Sequence, residues 1–232
     1  MTFLSLSLGV GQRPDAKGAV SKNSIPSKSQ FEKTLGRDSF SCRCCGFVSK
    51  KYQRVLPMGA LSSGKGGGDD FATVCSFCEL TATLDRAGQT AAGYLIWLPE
   101  LSQGDLNHVA HALYIARESS SPELSKAASR TLDVLTARRA EAKKRLGTDD
   151  PLIFATALLE QVDPEKHAAR MARMEGLRFL PLDRYFVPVR GKETDVFPQM
   201  LAYWASAEGP YGKLPVEQWT KLFEDVTAKA SA

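Results

Sequence analysis

Residues 38–47, DSFSCRCCGF, hold three of the chain's five cysteines, and the other two stand in TVCSFCEL, residues 73–80. Cys42 and Cys45 are separated by two residues, and so are Cys75 and Cys78. That gap lets one tight turn offer two thiolates to a single ion. Two such turns complete a tetrahedral set with sulfur at ~2.3 Å, the preferred arrangement for Zn²⁺. Disulfides are the rival reading. An odd cysteine total and a chain read as cytoplasmic, where thiols stay reduced, argue against them. With four protein thiolates the ion has no open position, so a structural Zn²⁺ on Cys42, Cys45, Cys75 and Cys78 is expected and no catalytic residue is assigned. Cys44 is left as a spare thiol, with Cys42-x-Cys44 as the alternative pairing.

Outward from these pairs, the chain divides by composition. Residues 3–10 (FLSLSLGV) alternate apolar and small polar side chains, which predicts a strand and lacks the basic start of a signal peptide. Residues 11–30 are rich in Gly, Ser, Pro and Lys and read as a loop, followed by a short helix over 31–35. YQRVLP (52–57) reads as a strand between the cysteine pairs. SSGKGGGDD (62–70) is loop by composition and not a phosphate loop, because Lys65 is followed by glycine where Ser or Thr is required. GYLIWLP (93–99) is the next strand.

Beyond residue 100 the pattern turns helical. Ser102 with Asp105 resembles a capping box, and Leu106, Val109, Ala110 and Leu113 share a helical face. Ser121-Pro122-Glu123 opens a second helix, striped by Leu124, Ala128, Leu132 and Leu135 and stopped at Gly147. Asp150-Pro151 and Asp163-Pro164 start two short helices. LRFLPLDRYFVPV (177–189) is extended, and helices are expected at 196–207 and 215–229. The predicted class is α+β: a four-cysteine module over 1–100, a helical region over 101–182, and an extension with two helices over 183–232.

Composition narrows the function classes. With 43% hydrophobic and 24% charged residues the chain can bury a core, and no apolar run reaches the ~18 residues needed to cross a bilayer. The net charge of +4 is uneven: residues 1–55 carry ten Lys/Arg against three Asp/Glu, and the remainder 20 against 23. A basic first quarter suits nucleic acid or an acidic protein surface. Of three histidines, His108 and His111 stand three apart on the first long helix, where a shared metal competes with a surface or half-buried role, and His167 has no evident partner.

LGRDSFSCRCCGF (35–47) resembles the entry to zinc-stapled HNH-type (ββα-metal) domains, as does the distance to the second cysteine pair. That resemblance puts Arg54 at the position of the general base, and Asp70 and Glu79 near the metal-holding positions. Arg keeps its proton at neutral pH and cannot act as a base. The resemblance therefore implies an HNH-like module without its catalytic set, with an HNH endonuclease or a nucleic-acid-binding zinc module as alternatives.

Several pieces in one order resemble the IcmJ (DotN) family of type IVB secretion systems: the alternating N-terminal segment, FEKTLGRDSFSCRCCGF, YQ before the intervening strand, TVCSFC and, most specifically, LIWLPELSQGDLNHV (95–109). The likeness is good over residues 31–118 and weaker to about Leu182. It implies a non-enzymatic adaptor that binds the C-terminal tail of the coupling ATPase (DotL/TraG-like), beside the membrane protein DotM. Such an adaptor is cytoplasmic and reaches the inner membrane only through partners. A conjugation version is equally compatible. Trp97, on the strand YLIWLP, is the first choice for a partner-facing aromatic, against the commoner reading of a strand aromatic as core.

Overall fold

A computed structural model describes residues 3–10, 25–61, 71–160 and 174–230. The loop expected over 11–30 falls largely outside these residues. So do SSGKGGGDD, the helix started by Asp163-Pro164, and His167.

Helix α1 (Lys28–Arg37) begins at Ser27, whose hydroxyl accepts from the Gln30 amide while Gln30 reaches back to the Ser27 amide. It is longer than the helix expected over 31–35 because this capping box lies outside the apolar stretch. Behind it the chain tightens around a buried carboxylate. Asp38 is 1% exposed and accepts from Arg37 (2.9 and 3.0 Å), Arg43 (3.3 Å) and the Thr73 amide (2.9 Å). Burial pushes its carboxyl upward, and these bonds outweigh it, so the group sits below the usual range. Ser39 and Phe40 follow in left-handed backbone (φ 51° and 56°), an arrangement that costs about 1–2 kcal/mol per residue. The Asp38 knot holds that turn and aims the first cysteine loop.

In that loop the Cys42 amide donates to Phe47 O and the Gly46 amide to Cys42 O, both at 2.9 Å. Gly46 has φ +80°, and a Cβ there would meet the Phe3 ring at 2.9 Å. Strand β1 (Arg54–Pro57) continues into a short helix α2 (Met58–Leu61) and pairs antiparallel with β2 (Phe71–Val74). Strand β2 delivers Cys75 to the start of α3 (Ser76–Ala82), and every residue of that helix is buried.

The N-terminal alternation gives the expected burial but no sheet. Leu4, Leu6 and Leu8 turn inward, Leu8 most deeply. The segment forms no ladder because its bonds go to separate elements: Leu4 N to Arg43 O, Gly9 N to Thr81 O, and Leu84 N back to Gly9 O. It is a strap across both cysteine segments.

Helix α4 (Leu84–Gln89) leads to β3 (Gly93–Trp97), which pairs antiparallel with β4 (Leu177–Pro181) across residues 98–176. Between them run α5 (Gln103–Arg117), α6 (Pro122–Ala137), α7 (Arg139–Leu146) and α8 (Pro151–Glu160). The Ser102 and Ser121 caps are present. Gly147 ends α7 in left-handed backbone (φ 78°). The expected single helix from 122 to 146 is broken at Arg138, which turns and bonds outward to Glu100. Trp97 is not the exposed aromatic expected of a partner face: it is half-buried, with the Arg145 guanidinium 4.0 Å above its ring.

The last segment holds an unexpected hairpin, β5 (Phe186–Val189) and β6 (Lys192–Asp195), turned by Arg190 and Gly191 in left-handed backbone. Helix α9 (Phe197–Ala205), a 3₁₀ turn (Val216–Gln218) and α10 (Trp219–Ala230) follow. Phe197, Met200 and Trp204 join the same buried cluster as Phe77, Tyr114 and Phe179. All three sequence segments thus meet in one core. The fold class is α+β.

Three stability predictions rest on this packing. Replacing Asp38 by alanine leaves the buried Thr73 amide unpaired and should cost about 3 kcal/mol in denaturant unfolding. Because its folded-state pKa is lowered, the Asp38 contribution is complete above the ordinary value of 3.8 and is lost as pH falls through the folded value; Asp38→Asn should flatten that acid limb. Trp204→Ala should cost about 3–5 kcal/mol in one cooperative transition.

Candidate metal centre

Loop 42–45 and the start of α3 converge from opposite sides. The ligand atoms of Cys42, Cys45, Cys75 and Cys78 all lie within 4.8 Å of one another. Among the described residues no other group of Cys, His, Asp or Glu is so placed. The Cys45 and Cys75 sulfurs are 3.6 Å apart, and Cys75 also caps α3, accepting the Cys78 amide at 3.5 Å. Cys42, Cys75 and Cys78 are at most 1% exposed, whereas Cys45 is half-buried.

The chemistry of this donor set fits a cation. Burial first, then the neighbouring sulfurs, push Cys75 and Cys78 well above the ordinary thiol value. At Cys42 burial is outweighed by hydrogen bonds from the surrounding thiols, which pull it well below. Holding all four as thiolates would take a bound metal ion to neutralise them. Cys44 is buried outside the quartet; its hydrogen bond to Cys42 pushes it up and keeps it a neutral thiol.

A second layer comes from α5. Gln103, Asn107 and His111, spaced four apart and all buried, form a polar stripe along one face. Gln103 Nε2 donates to Phe179 O (2.8 Å) and to Asn107 Oδ1 (2.9 Å), while Gln103 Oε1 accepts the Phe179 amide at 2.8 Å. So oriented, Asn107 Nδ2 donates to Cys78 Sγ and to Thr81 Oγ1, each at 3.3 Å. His111 Nε2 is 3.4 Å from Cys75 Sγ. The helix approaches this closely because Gly104 has no side chain: a Cβ there would meet Cys44 O at 2.9 Å.

His111 is 0% exposed and lies between two rings, stacked on Phe47 (centroids 3.9 Å, 8°) and Phe77 (4.3 Å, 25°), with the edge of Trp204 at 4.7 Å. Burial pushes it down to about 3, so it is a neutral imidazole. Against a Cys75 thiolate, Nε2 would carry the proton and donate it, leaving the buried Nδ1, which has no hydrogen-bond partner among the described residues, as a bare acceptor. A surface or half-buried role for this residue is therefore corrected. The shared metal with His108 is not formed either: His108 sits on the exposed side of the helix, with Nδ1 3.0 Å from Cys45 O. Sequence reasoning missed Asn107, and the place of His111 beside the sulfurs, because the signal was the Gln-x₃-Asn-x₃-His spacing, three buried polar groups on one face, and not their separation from the cysteines.

Arg54 and Glu79 stand apart from the sulfurs in a second cluster. Glu79, 6% exposed, pairs with Arg86 at 3.2 Å and Arg54 at 3.6 Å and accepts from the Tyr185 hydroxyl. Arg54 Nε donates to that hydroxyl at 2.7 Å, and Arg86 donates to Phe186 O at 2.7 Å. Both positions are committed to structural bonds. Asp69 and Asp70 lie outside the described residues.

No family model matches the chain. It is 29% identical to the Type 4 apparatus protein DotN of Legionella pneumophila over 160 residues, which cover 66% of this chain and 72% of that protein. That likeness supports the IcmJ (DotN) family. The resemblance to DotN thus extends over most of both chains.

Removing either side-chain donor should weaken the centre without breaking the fold. Asn107→Ala, and His111→Phe, which keeps the ring stack, should each lower metal affinity about 10–100-fold in a competition titration against a chelator.

Proposed function

We propose that the chain is a non-enzymatic adaptor of a type IVB secretion or conjugation system, built on an HNH-like module that a structural Zn²⁺ holds closed through Cys42, Cys45, Cys75 and Cys78. Its partner is the C-terminal tail of the coupling ATPase, within a coupling complex on the cytoplasmic side of the inner membrane. The observation that carries this reading is the likeness to DotN over 160 residues. No described helix is long and apolar enough to cross a membrane, in keeping with attachment through partners.

Zinc suits the donor set. Four thiolates from two turns fill a tetrahedral shell, and the N–H donors of Asn107 and His111 offset its excess negative charge. When bound, the ion supplies cross-linking between the 42–45 loop and α3. The antiparallel pair β1–β2, joined through α2 and followed by α3, supports the HNH-like reading. Against nuclease activity stand the protonated Arg54 and the engagement of Glu79 by two arginines and a tyrosine.

Purified chain should contain one zinc per molecule, and chelation should unfold it, since such an ion contributes on the order of 10 kcal/mol to folding. Affinity purification from the native host should recover the coupling ATPase, with loss of recovery when its C-terminal tail is deleted. Failure to recover it, or plasmid nicking with Mg²⁺ that disappears in Glu79→Gln, would overturn the adaptor reading.

A further inference from the structure

The four sulfurs are not equivalent. Cys75 receives the Cys78 amide and the His111 imidazole, and Cys78 receives the Asn107 amide. Cys42 has the neutral thiol of Cys44 beside it. Among the described contacts neither Cys42 nor Cys45 accepts an N–H donor on sulfur, and Cys45 is the residue of the quartet that is only half-buried. The His108 side chain that lies on its carbonyl is itself exposed. Hydrogen bonds withdraw electron density from a thiolate sulfur and blunt its attack on electrophiles; a bare, accessible thiolate keeps its nucleophilicity.

We propose that Cys45 is an oxidative modification site, through which hydrogen peroxide releases the metal and closes a Cys45–Cys75 disulfide. This rests on the reading of the quartet as a metal centre. The Cys45 thiolate attacks one peroxide oxygen; the O–O bond breaks, leaving a sulfenic acid and hydroxide. The Cys75 sulfur, 3.6 Å away, then attacks the sulfenic sulfur, forming the S–S bond and expelling a second hydroxide. Two protons from solvent convert both hydroxides to water. The two sulfurs lose two electrons, and one peroxide gains them. With half its ligands consumed, the metal leaves. The disulfide joins the same two segments, loop 42–45 and α3, so the link between them becomes covalent and a thiol reductant reverses it.

The test uses the full chain, with metal content measured first. Peroxide is added in steps while a chromophoric chelator reports free metal, and acid-quenched, alkylated samples are mapped by mass spectrometry. One metal should be released per Cys45–Cys75 disulfide, with Cys44 still a thiol, and reduction in the presence of Zn²⁺ should restore binding. N-ethylmaleimide applied to the loaded protein should label Cys45 about tenfold faster than Cys42 or Cys78. His111→Phe, which strips an N–H donor from Cys75 and keeps the ring stack, should speed peroxide-driven release. A disulfide through Cys44, even labelling of the quartet, or metal retained through a large peroxide excess would overturn the proposal. A folded chain with no metal at the outset fails the metal-centre reading itself, and a loaded chain that resists peroxide fails this proposal alone.

Discussion

Four sulfurs brought within 4.8 Å of one another, three on buried residues and one on the half-buried Cys45, are the constraint on which the rest of the structure depends. Four thiolates this close would repel, and burial would remove the water that screens them, so the geometry suits a bound cation. The elements nearby serve that requirement. The Asp38 knot and the left-handed turn after it aim loop 42–45, while the end of β2 sets Cys75 at the start of α3. The strap of residues 3–10 bonds to both sides, at Arg43 and at Thr81.

The later segments are joined to the centre through α5. Gln103 grips the backbone of β4 at Phe179 and orients Asn107 toward Cys78, so a sheet formed by residues far apart in sequence is connected to a sulfur by two side chains. His111 is held by rings from the first cysteine loop (Phe47), from α3 (Phe77) and from α9 (Trp204). Tyr185 does similar work on the opposite side of α3, where its hydroxyl links Arg54 to Glu79. Arg54 and Glu79 thereby form a packing joint for the C-terminal segment.

Much of this was legible in the sequence, for identifiable reasons. Two-residue cysteine gaps have few physical uses, and caps such as Ser102 and Ser121 are local, so both could be read directly. The alternation of residues 3–10 encodes which side chains turn inward, and the structure keeps that pattern. It does not encode a hydrogen-bonding partner, and the expected strand became a strap. The role of His111 depends on which helix packs against the sulfurs, a tertiary fact that spacing in sequence does not carry. Trp97 illustrates the same limit, because the guanidinium that covers it comes from Arg145, on a helix nearly fifty residues away.

The most direct test of the central claim is X-ray absorption at the zinc edge on the purified, reduced protein. The account predicts one zinc per chain with four sulfur neighbours at about 2.3 Å and no nitrogen or oxygen in the first shell. A folded protein without zinc, or a shell in which a histidine nitrogen replaces one of the sulfurs, would contradict it.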